Sequence, residues 1–273
     1  MDLPALDPGQ DPRLAREQDR RRLLRAVLAS AAFVALLWWM HLARHLWGQD
    51  LDALALRPGE PWGLIGILTA PLLHASVAHL VSNTLPLLLL GSLALATLPR
   101  ATPRALGLIW LLAGAGTWLI GRPSLHLGAS GLSHGLMVFL FLAGLIRRDR
   151  PAIATALITF FLYGGMLLTV LPREPGVSWE YHLSGAVGGL VAALLWARLD
   201  PPPPRKRYSW EDEDDARAED PRDHEFEPPA PQDVPVLWQR AEPGPTRGVV
   251  LPFRRPDADT PGPARSPAER PDQ

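Results

Sequence analysis

Six long apolar segments alternate with polar segments along the chain. They run near residues 23–42, 77–98, 104–121, 130–146, 151–171 and 181–199. A bilayer core of about 30 Å is crossed by roughly 20 helical residues, and such uniformly apolar runs leave no polar face for water. The pattern therefore predicts an all-α polytopic membrane protein with six transmembrane helices in a bundle. The fourth segment is about three residues short of that length, which would leave one of its ends below the membrane surface.

Polar sequence flanks this apolar region on both sides. Residues 1–22 are charged and predict a short N-terminal arm, whereas 23–199 form the membrane domain. Residues 200–273 hold 17 of the 30 prolines and an acidic run at 211–215. Such a composition buries too little apolar surface to offset its ordering entropy. It predicts a disordered tail that is either a plain tether or a docking segment for an unidentified partner, with 234–238 as the best anchor.

Overall composition excludes several classes of protein. With 27 basic and 28 acidic residues the net charge is −1, so a nucleic-acid binder, which carries a basic excess, is not indicated. The chain has no cysteine, which excludes disulfides, thiolate metal sites and cysteine nucleophiles. No cofactor is implied.

The arginines predict the orientation in the membrane, because cytoplasmic loops carry the excess of positive charge. Arginines crowd the N-terminal arm, the second-to-third and fourth-to-fifth connections and the start of the tail, which all fall on one side of a six-span protein. Both termini are therefore expected in the cytoplasm. The first loop, about 43–76, is long for a simple connection and apolar enough to lie in the membrane interface on the opposite side.

Polar side chains that converge at one membrane depth are candidates for function. His79 lies where the second segment enters the membrane, Ser130 begins the fourth segment and His182 begins the sixth, all from the same predicted side. A serine hydroxyl needs an adjacent base to become a nucleophile. Ser130 and His182 supply that pair if the fourth and sixth segments touch. Small residues on both segments favour the contact: Gly128, Gly131, Gly135, Gly185 and Gly189.

Acyl transfer also needs hydrogen-bond donors aimed at a developing oxyanion. His79 and Asn83 are spaced i, i+4 and share a helix face, so both side chains can offer an N–H to the same point. The backbone N–H of Ser130, near a helix N-terminus, is a third donor.

These residues resemble the motifs of the rhomboid intramembrane serine proteases. The resemblance covers about residues 23–199 and rests on 74–83 (HASVAHLVSN), 128–131 (GASG) and 182–189 (HLSGAVGG). It implies that the chain is a serine endopeptidase that cleaves transmembrane segments of other proteins near the outer face. It also implies a partly embedded first loop at 43–76, and the six spans resemble the simpler bacterial forms of the family, which indicates a bacterial plasma membrane. It also implies catalytic roles for Ser130 and His182, an oxyanion hole of His79, Asn83 and Ser130, and a supporting role for Gly128, Gly185 and Gly189. No metal is implied.

The sequence departs from the family pattern at two places. Many members carry a Trp-Arg pair in the first loop, whereas Trp62 is followed here by Gly63. Many also have a tyrosine four residues after the serine, stacked on the catalytic histidine, where this chain has His134. An imidazole can still stack, but it titrates near neutral pH.

Three other functions stay open at the level of sequence. The chain could be a catalytically silent rhomboid-like binder of membrane proteins, although Ser130 and His182 are both present. It could be a metal protein, since four histidines lie in the region, but no His-Glu-x-x-His motif accompanies them: His74, His79, His134 and His182. It could also be a structural anchor that displays the acidic tail.

Overall fold

The computed structural model of the protein describes residues 12–48, 52–174 and 176–202. Every regular element in these ranges is helical, and an isolated antiparallel bridge joins Leu56 to His126. The predicted all-α fold is therefore confirmed. The predicted tail from residue 203 onward, and residues 1–11 of the predicted arm, lie outside the described part of the chain.

Each of the six predicted segments corresponds to a helix, and a seventh, shorter helix lies in the first loop. In chain order they are α1 Pro12–Trp47, α2 Gly66–Thr69, α3 Val77–Thr97, α4 Ala101–Ile120, α5 Ser130–Arg147, α6 Arg150–Tyr163 and α7 Trp179–Trp196.

Helix α1 begins well before the predicted first span. It starts at Pro12 rather than near residue 23, so the described part of the predicted arm is helical. Proline suits the first position of a helix because its missing N–H would have no partner there. No glycine or proline interrupts residues 13–47, so the charged turns continue directly into the apolar ones.

Five of the helical segments are long and apolar enough to cross a membrane. They are Arg16–Trp47, Val77–Thr97, Ala101–Ile120, Ser130–Arg147 and Arg150–Val170, the last including the 3₁₀ turns after α6. Helix α7 occupies the sixth predicted segment and is not one of these five. Its sequence holds Glu180, His182 and Ser184 near its start and three glycines further along.

Helix α5 forms the centre of the bundle. It packs against α3, α4, α6 and α7, and 61% of its span is buried, against 17% to 39% for the other four. Its 18 residues extend about 27 Å at 1.5 Å per residue, which is shorter than the roughly 30 Å of a bilayer core. With this length, one end of α5 is expected to lie below the membrane surface, as the sequence predicted.

The contact between α5 and α7 depends on four glycines. A Cβ atom on Gly185 would collide with the carbonyl oxygen of Gly131, and one on Gly189 with that of Gly135. A Cβ atom on Gly135 would itself lie 2.8 Å from the Gly185 oxygen. The two backbones thus approach as closely as the small residues of the sequence suggested.

Short helical turns fill the first loop between α1 and α3. An apolar helical segment, Pro61–Leu72, leaves several large side chains exposed, namely Trp62, Leu64, Ile65 and Leu68. This exposure fits a segment that contacts lipid, and its embedding in the membrane stays a prediction. Helix α1 extends to Trp47, so the loop begins later than residue 43.

The C-terminal end of α7 is fixed at the end of the bundle away from Ser130. The carboxylate of Asp200 accepts hydrogen bonds from the backbone N–H groups of Arg100 (2.9 Å) and Ala101 (3.0 Å) at the start of α4. Arg147, at the end of α5, donates to the carbonyl oxygens of Ala197 (3.0 Å) and Asp200 (2.7 Å). Three helices therefore meet at one point.

Candidate active site

Ser130 and His182 are in hydrogen-bond contact. Ser130 is the first residue of α5, and His182 lies in the first turn of α7. The Ser130 Oγ atom lies 2.9 Å from Nε2 of His182. This is the distance at which a histidine can accept the proton of a serine hydroxyl.

A hydrogen bond at the other ring nitrogen of His182 determines the protonation state of the nitrogen that faces the serine. Nδ1 donates to the backbone carbonyl oxygen of Thr169 at 3.0 Å, because a carbonyl can only accept. In the neutral ring Nε2 is then unprotonated, so it accepts from Ser130 Oγ–H. The Thr169 carbonyl thus takes the orienting place that a carboxylate has in a Ser-His-Asp triad.

His134 lies flat against His182. The two ring centroids are 3.9 Å apart and the planes differ by 12°. Nδ1 of His134 donates to the carbonyl oxygen of Ser130 at 2.7 Å, and Nε2 lies 2.9 Å from Thr169 Oγ1 and 3.1 Å from the Met166 carbonyl oxygen. His134 therefore buttresses the histidine and also links α5 to the turns after α6.

Gly128 brings the chain close to the ring of His79. Its φ of +113° lies where residues with a side chain are rarely found. A Cβ atom at this position would lie 2.5 Å from Cε1 of His79 and 2.7 Å from its Nε2. Glycine is therefore required both by the backbone conformation and by the approach of the histidine.

The other predicted oxyanion donors point toward the same region. Asn83 is buried on α3 and uses one Nδ2 hydrogen to donate to the His79 carbonyl oxygen at 2.9 Å, which leaves its second hydrogen available. The backbone N–H of Ser130 has no carbonyl partner within its own helix, because it is the first residue of α5.

A cavity of about 790 Å³ joins these side chains. Ser130 and His182 lie in its wall together with His79, Asn83 and His134. The wall also includes Ser82 and Pro86 of α3, Tyr163 at the end of α6 and Met166 in the turns after it. Arg44 of α1 and Asp52 of the first loop contribute as well. All the predicted polar site residues are therefore brought together, whereas Gly185 and Gly189 act at a distance through the α5–α7 contact.

An ion pair that sequence reasoning missed ties the serine loop to α7. Glu180 is fully buried, and its Oε1 accepts from Nε of Arg122 at 2.7 Å and from the Arg122 backbone N–H at 3.2 Å. Arg122 also donates to the Val177 carbonyl oxygen at 2.7 Å. Since Glu180 precedes His182 by two residues and Arg122 begins the loop to Ser130, the pair connects the supports of both side chains.

His126 and Ser178 make a second link between the same two segments. Nδ1 of His126 is hydrogen-bonded to Ser178 Oγ, and Ser178 also caps α7 by accepting from the Tyr181 N–H at 3.3 Å. The backbone of His126 pairs with Leu56 of the first loop in both directions, at 2.9 and 3.0 Å. The first loop thus supports the segment that carries Ser130.

The sequence did hold one signal for Glu180, since it is a lone carboxylate at the start of an apolar helix.

His74, in the loop before α3, is a buried histidine next to the site. Neither of its ring nitrogens has a hydrogen-bond partner among the described residues, and its ring centroid is 5.1 Å from that of His79. Burial, with a smaller effect of the neighbouring His79 and His41, lowers the pKa of His74 from 6.5 to about 3, against an opposing effect of the Leu72 backbone. His74 is therefore neutral at physiological pH.

The histidines do not form a metal centre within the described ranges. No group of three or more His, Asp or Glu side chains there is placed to hold an ion. The four histidines of the metal alternative lie instead as two ring pairs, His74 with His79 and His134 with His182.

The fold and the site define a class of protein: an integral membrane protein of packed helices with a serine and a histidine in contact at an internal cavity. Comparison with known families assigns it more closely. The Rhomboid domain family matches residues 59–199, which is more than half of the chain. The chain belongs to the rhomboid family.

Several curated relatives come from mycobacteria, and their names call them uncharacterized proteins. One from Mycobacterium tuberculosis is 48% identical over 173 residues, which cover 60% of this chain and 72% of the relative, and one from Mycobacterium bovis matches to the same extent. A Mycobacterium leprae protein is 41% identical over 209 residues, covering 71% of this chain and 80% of the relative. Their names assign no activity.

Proposed function

We propose that this chain is an intramembrane serine endopeptidase that cleaves transmembrane segments of other membrane proteins. The observation that carries the proposal is the 2.9 Å contact between Ser130 Oγ and His182 Nε2 in the wall of an internal cavity. Membership of the rhomboid family, whose members are typically intramembrane proteases, supports it. The substrate is expected to be a membrane protein within the same bilayer, and no nucleic acid is involved.

In this mechanism Ser130 is the nucleophile and His182 the general base. Nε2 of His182 takes the proton from Oγ while Oγ attacks the scissile carbonyl carbon, giving a tetrahedral oxyanion. Its collapse breaks the C–N bond, and His182 gives the proton to the leaving amine. Water then attacks the acyl-serine with its proton passing to His182, and the proton returns to Ser130 as the acid product leaves.

The oxyanion would be held by three N–H donors. His79 and Asn83 offer side-chain donors from α3, and Ser130 offers its backbone N–H at the start of α5. Because such donors are already oriented before the reaction, they stabilise the charge without reorganisation. The site is shielded from lipid by the surrounding helices, which is needed since unsatisfied polar groups in hydrocarbon cost several kcal/mol.

The cavity would admit the water that hydrolysis needs. The arginine distribution of the loops supports an orientation in which the cavity faces the outer side and both termini lie in the cytoplasm. The resemblance to bacterial members of the family supports a bacterial plasma membrane as the location. Cleavage would then occur near the outer face of the membrane, where the shortness of α5 leaves Ser130 below the surface.

A fluorophosphonate probe tests the proposal without a known substrate. Detergent-purified protein is treated with the probe, alongside Ser130→Ala and His182→Ala. Matched controls are Ser92→Ala, a buried serine whose Oγ donates only to its own helix at Leu88 (2.6 Å), and His45→Ala, an exposed histidine. We expect labelling of the wild type and both controls, and none of Ser130→Ala or His182→Ala.

Asn83→Ala provides a graded test of the oxyanion hole. Loss of one donor typically slows the reaction about 100- to 1,000-fold without abolishing it, so slow labelling is expected. Full labelling of Ser130→Ala would reject Ser130 as the nucleophile. A folded, monodisperse wild type that is not labelled would instead support the catalytically silent binder, and membrane-protein partners would then be sought by crosslinking.

A further inference from the structure

A groove with arginines on its wall lies between the start of α1 and the end of α3, at the opposite end of α3 from His79. Its volume is about 590 Å³. One part of its wall is polar and the other is apolar; the lining residues are Gln18, Arg21, Arg22, Arg25, Ala26, Ala29, Leu95 and Pro99. The three guanidinium groups are accompanied by no carboxylate in this lining.

We propose that this groove binds the phosphate of an anionic phospholipid headgroup, with the start of an acyl chain along its apolar part. Guanidinium groups bind phosphate oxygens through paired N–H donors. Basic pockets between transmembrane helices are typical sites for anionic lipid headgroups. The site is separate from the Ser130–His182 cavity and does not depend on its activity.

The arginines of the groove make few hydrogen bonds within the described part of the protein, so their guanidinium groups can bind a ligand. Arg25 makes no hydrogen bond or ion pair with any residue in the described ranges. Arg21 meets Glu17 at 3.6 Å, but both side chains are more than 60% exposed, so this pair contributes little. Of these three arginines, Arg22 alone bonds another helix within the described ranges, donating to the carbonyl oxygen of Thr97 at 3.0 Å.

The same Arg22 bond locates the groove at the membrane surface. Thr97 is the last residue of α3, one of the helices long and apolar enough to span the membrane. Exposed leucines of α1 lie on the same turns as the arginines, namely Leu23, Leu24 and Leu28. A ligand at this depth therefore meets guanidinium groups at one end and lipid-facing side chains beside it, which suits an amphipathic lipid better than a soluble anion.

Close packing holds the two walls of the groove in place. Ala26 is buried, at 3% exposure. One turn further on, a Cβ atom added to Gly91 would lie 2.8 Å from Oγ of Ser30. Helices α1 and α3 are therefore in contact just beyond the groove.

Two double variants of α1 test the proposal with the same change of charge. Arg21→Gln with Arg25→Gln removes the two arginines that do not bond the protein's backbone. Arg16→Gln with Arg20→Gln removes two exposed arginines of the same helix that lie outside the groove lining. Each purified protein is incubated in neutral detergent with phosphatidylglycerol or phosphatidylcholine, and retained lipid is counted by native mass spectrometry. Inorganic phosphate in a thermal-shift assay serves as the soluble anion.

We expect the wild type and the Arg16/Arg20 variant to retain phosphatidylglycerol in preference to phosphatidylcholine. The Arg21/Arg25 variant should bind it at least about tenfold more weakly, since an arginine near a membrane surface contributes about 1 kcal/mol toward anionic lipid. Equal retention by the two variants would overturn the proposal, as would equal retention of the two lipids by the wild type. Saturable stabilisation of the wild type by phosphate alone, lost in the Arg21/Arg25 variant, would assign the groove to a soluble anion instead.

Discussion

The Nδ1 atom of His182 lies 3.0 Å from the backbone carbonyl oxygen of Thr169. This contact leaves Nε2 unprotonated and directed at Ser130, so the side chain proposed as general base is oriented by the main chain. Thr169 belongs to the 3₁₀ turns Gly164–Val170 that follow α6. The geometry of the pair therefore depends on three segments: the start of α5, the start of α7 and these turns.

Thr169→Val separates the carbonyl of this residue from its hydroxyl. Valine keeps the backbone acceptor for His182 and removes the two Oγ1 contacts, one with Nε2 of His134 at 2.9 Å and one to the Met166 carbonyl oxygen at 2.7 Å. A single hydrogen bond contributes about 0.5–1.5 kcal/mol, so probe labelling should slow by no more than about tenfold. Complete loss of labelling in a folded Thr169→Val protein would show that the hydroxyl, rather than the carbonyl, is the essential group.

Gly128→Ala should remove most of the activity. An added Cβ would meet His79 at 2.5 Å, displacing either the histidine or the segment before Ser130, and a displacement of about 1 Å can cost 100-fold in rate. Gly59→Ala is the matched control, because Gly59 also has a positive φ, +72°, but nothing within 4 Å of its Cβ position. We expect labelling at least about 100-fold slower in Gly128→Ala and near normal in Gly59→Ala. Equal rates in the two would contradict the contact with His79.

Glu180→Gln should destabilise the protein and slow labelling together. The fully buried carboxylate holds Arg122 at 2.7 Å, and loss of its charge leaves the guanidinium with a weaker partner. We expect a loss of about 1–3 kcal/mol in unfolding by denaturing detergent. Glu60→Gln breaks the exposed pair with Arg57, 3.8 Å apart, and should cost less than about 0.5 kcal/mol. Similar losses in both variants would mean that the buried pair has no special role.

His134→Tyr should make activity less dependent on pH. His134 stacks on His182 at 3.9 Å, and an imidazole can change charge between pH 5 and 8, whereas a phenol does not. A charge on the stacked ring would oppose the protonation of His182 that catalysis requires. The measurement is the rate of probe labelling against pH for the two proteins, and superimposable profiles would reject the hypothesis.

His74→Leu should flatten the acid limb of the stability profile. Its pKa falls from 6.5 to about 3 on folding because of burial, so between these values the unfolded chain binds the proton more readily. The stability that neutral His74 allows is complete above pH 6.5 and is lost as the pH falls toward 3, with a slope of up to about 1.4 kcal/mol per pH unit. Unfolding measured from pH 7 to 4 should show a smaller slope in His74→Leu. An unchanged slope would contradict the burial of a neutral imidazole.

Features that depend on the pattern of side-chain types could be predicted from the sequence. Apolar runs located all the main helices, and the glycines of two segments correctly indicated that α5 and α7 touch. The start of α1 was placed too late because hydropathy marks the membrane-facing part of a helix and not its charged turns. The first turns of α7 hold buried polar side chains, namely Glu180, His182 and Ser184.

Two parts of the site could not be predicted in this way. The Thr169 carbonyl belongs to the backbone, so no residue type signals its role. The pairing of Arg122 with Glu180 spans 58 positions, and one sequence holds no sign that two distant charges meet. Ser130 and His182 could be selected from the sequence as candidates because polar side chains are uncommon at the predicted membrane depth.

The hydrogen bonds between Asp200 and the start of α4 have a consequence for biosynthesis. Ser130 is translated 52 residues before His182, and the α4 backbone donors that Asp200 caps are made about 100 residues before it. A chain still emerging from the ribosome therefore has a serine without its base and a helix end without its cap. In the proposed mechanism, such a nascent chain is inert toward neighbouring membrane proteins until its last helix has been inserted.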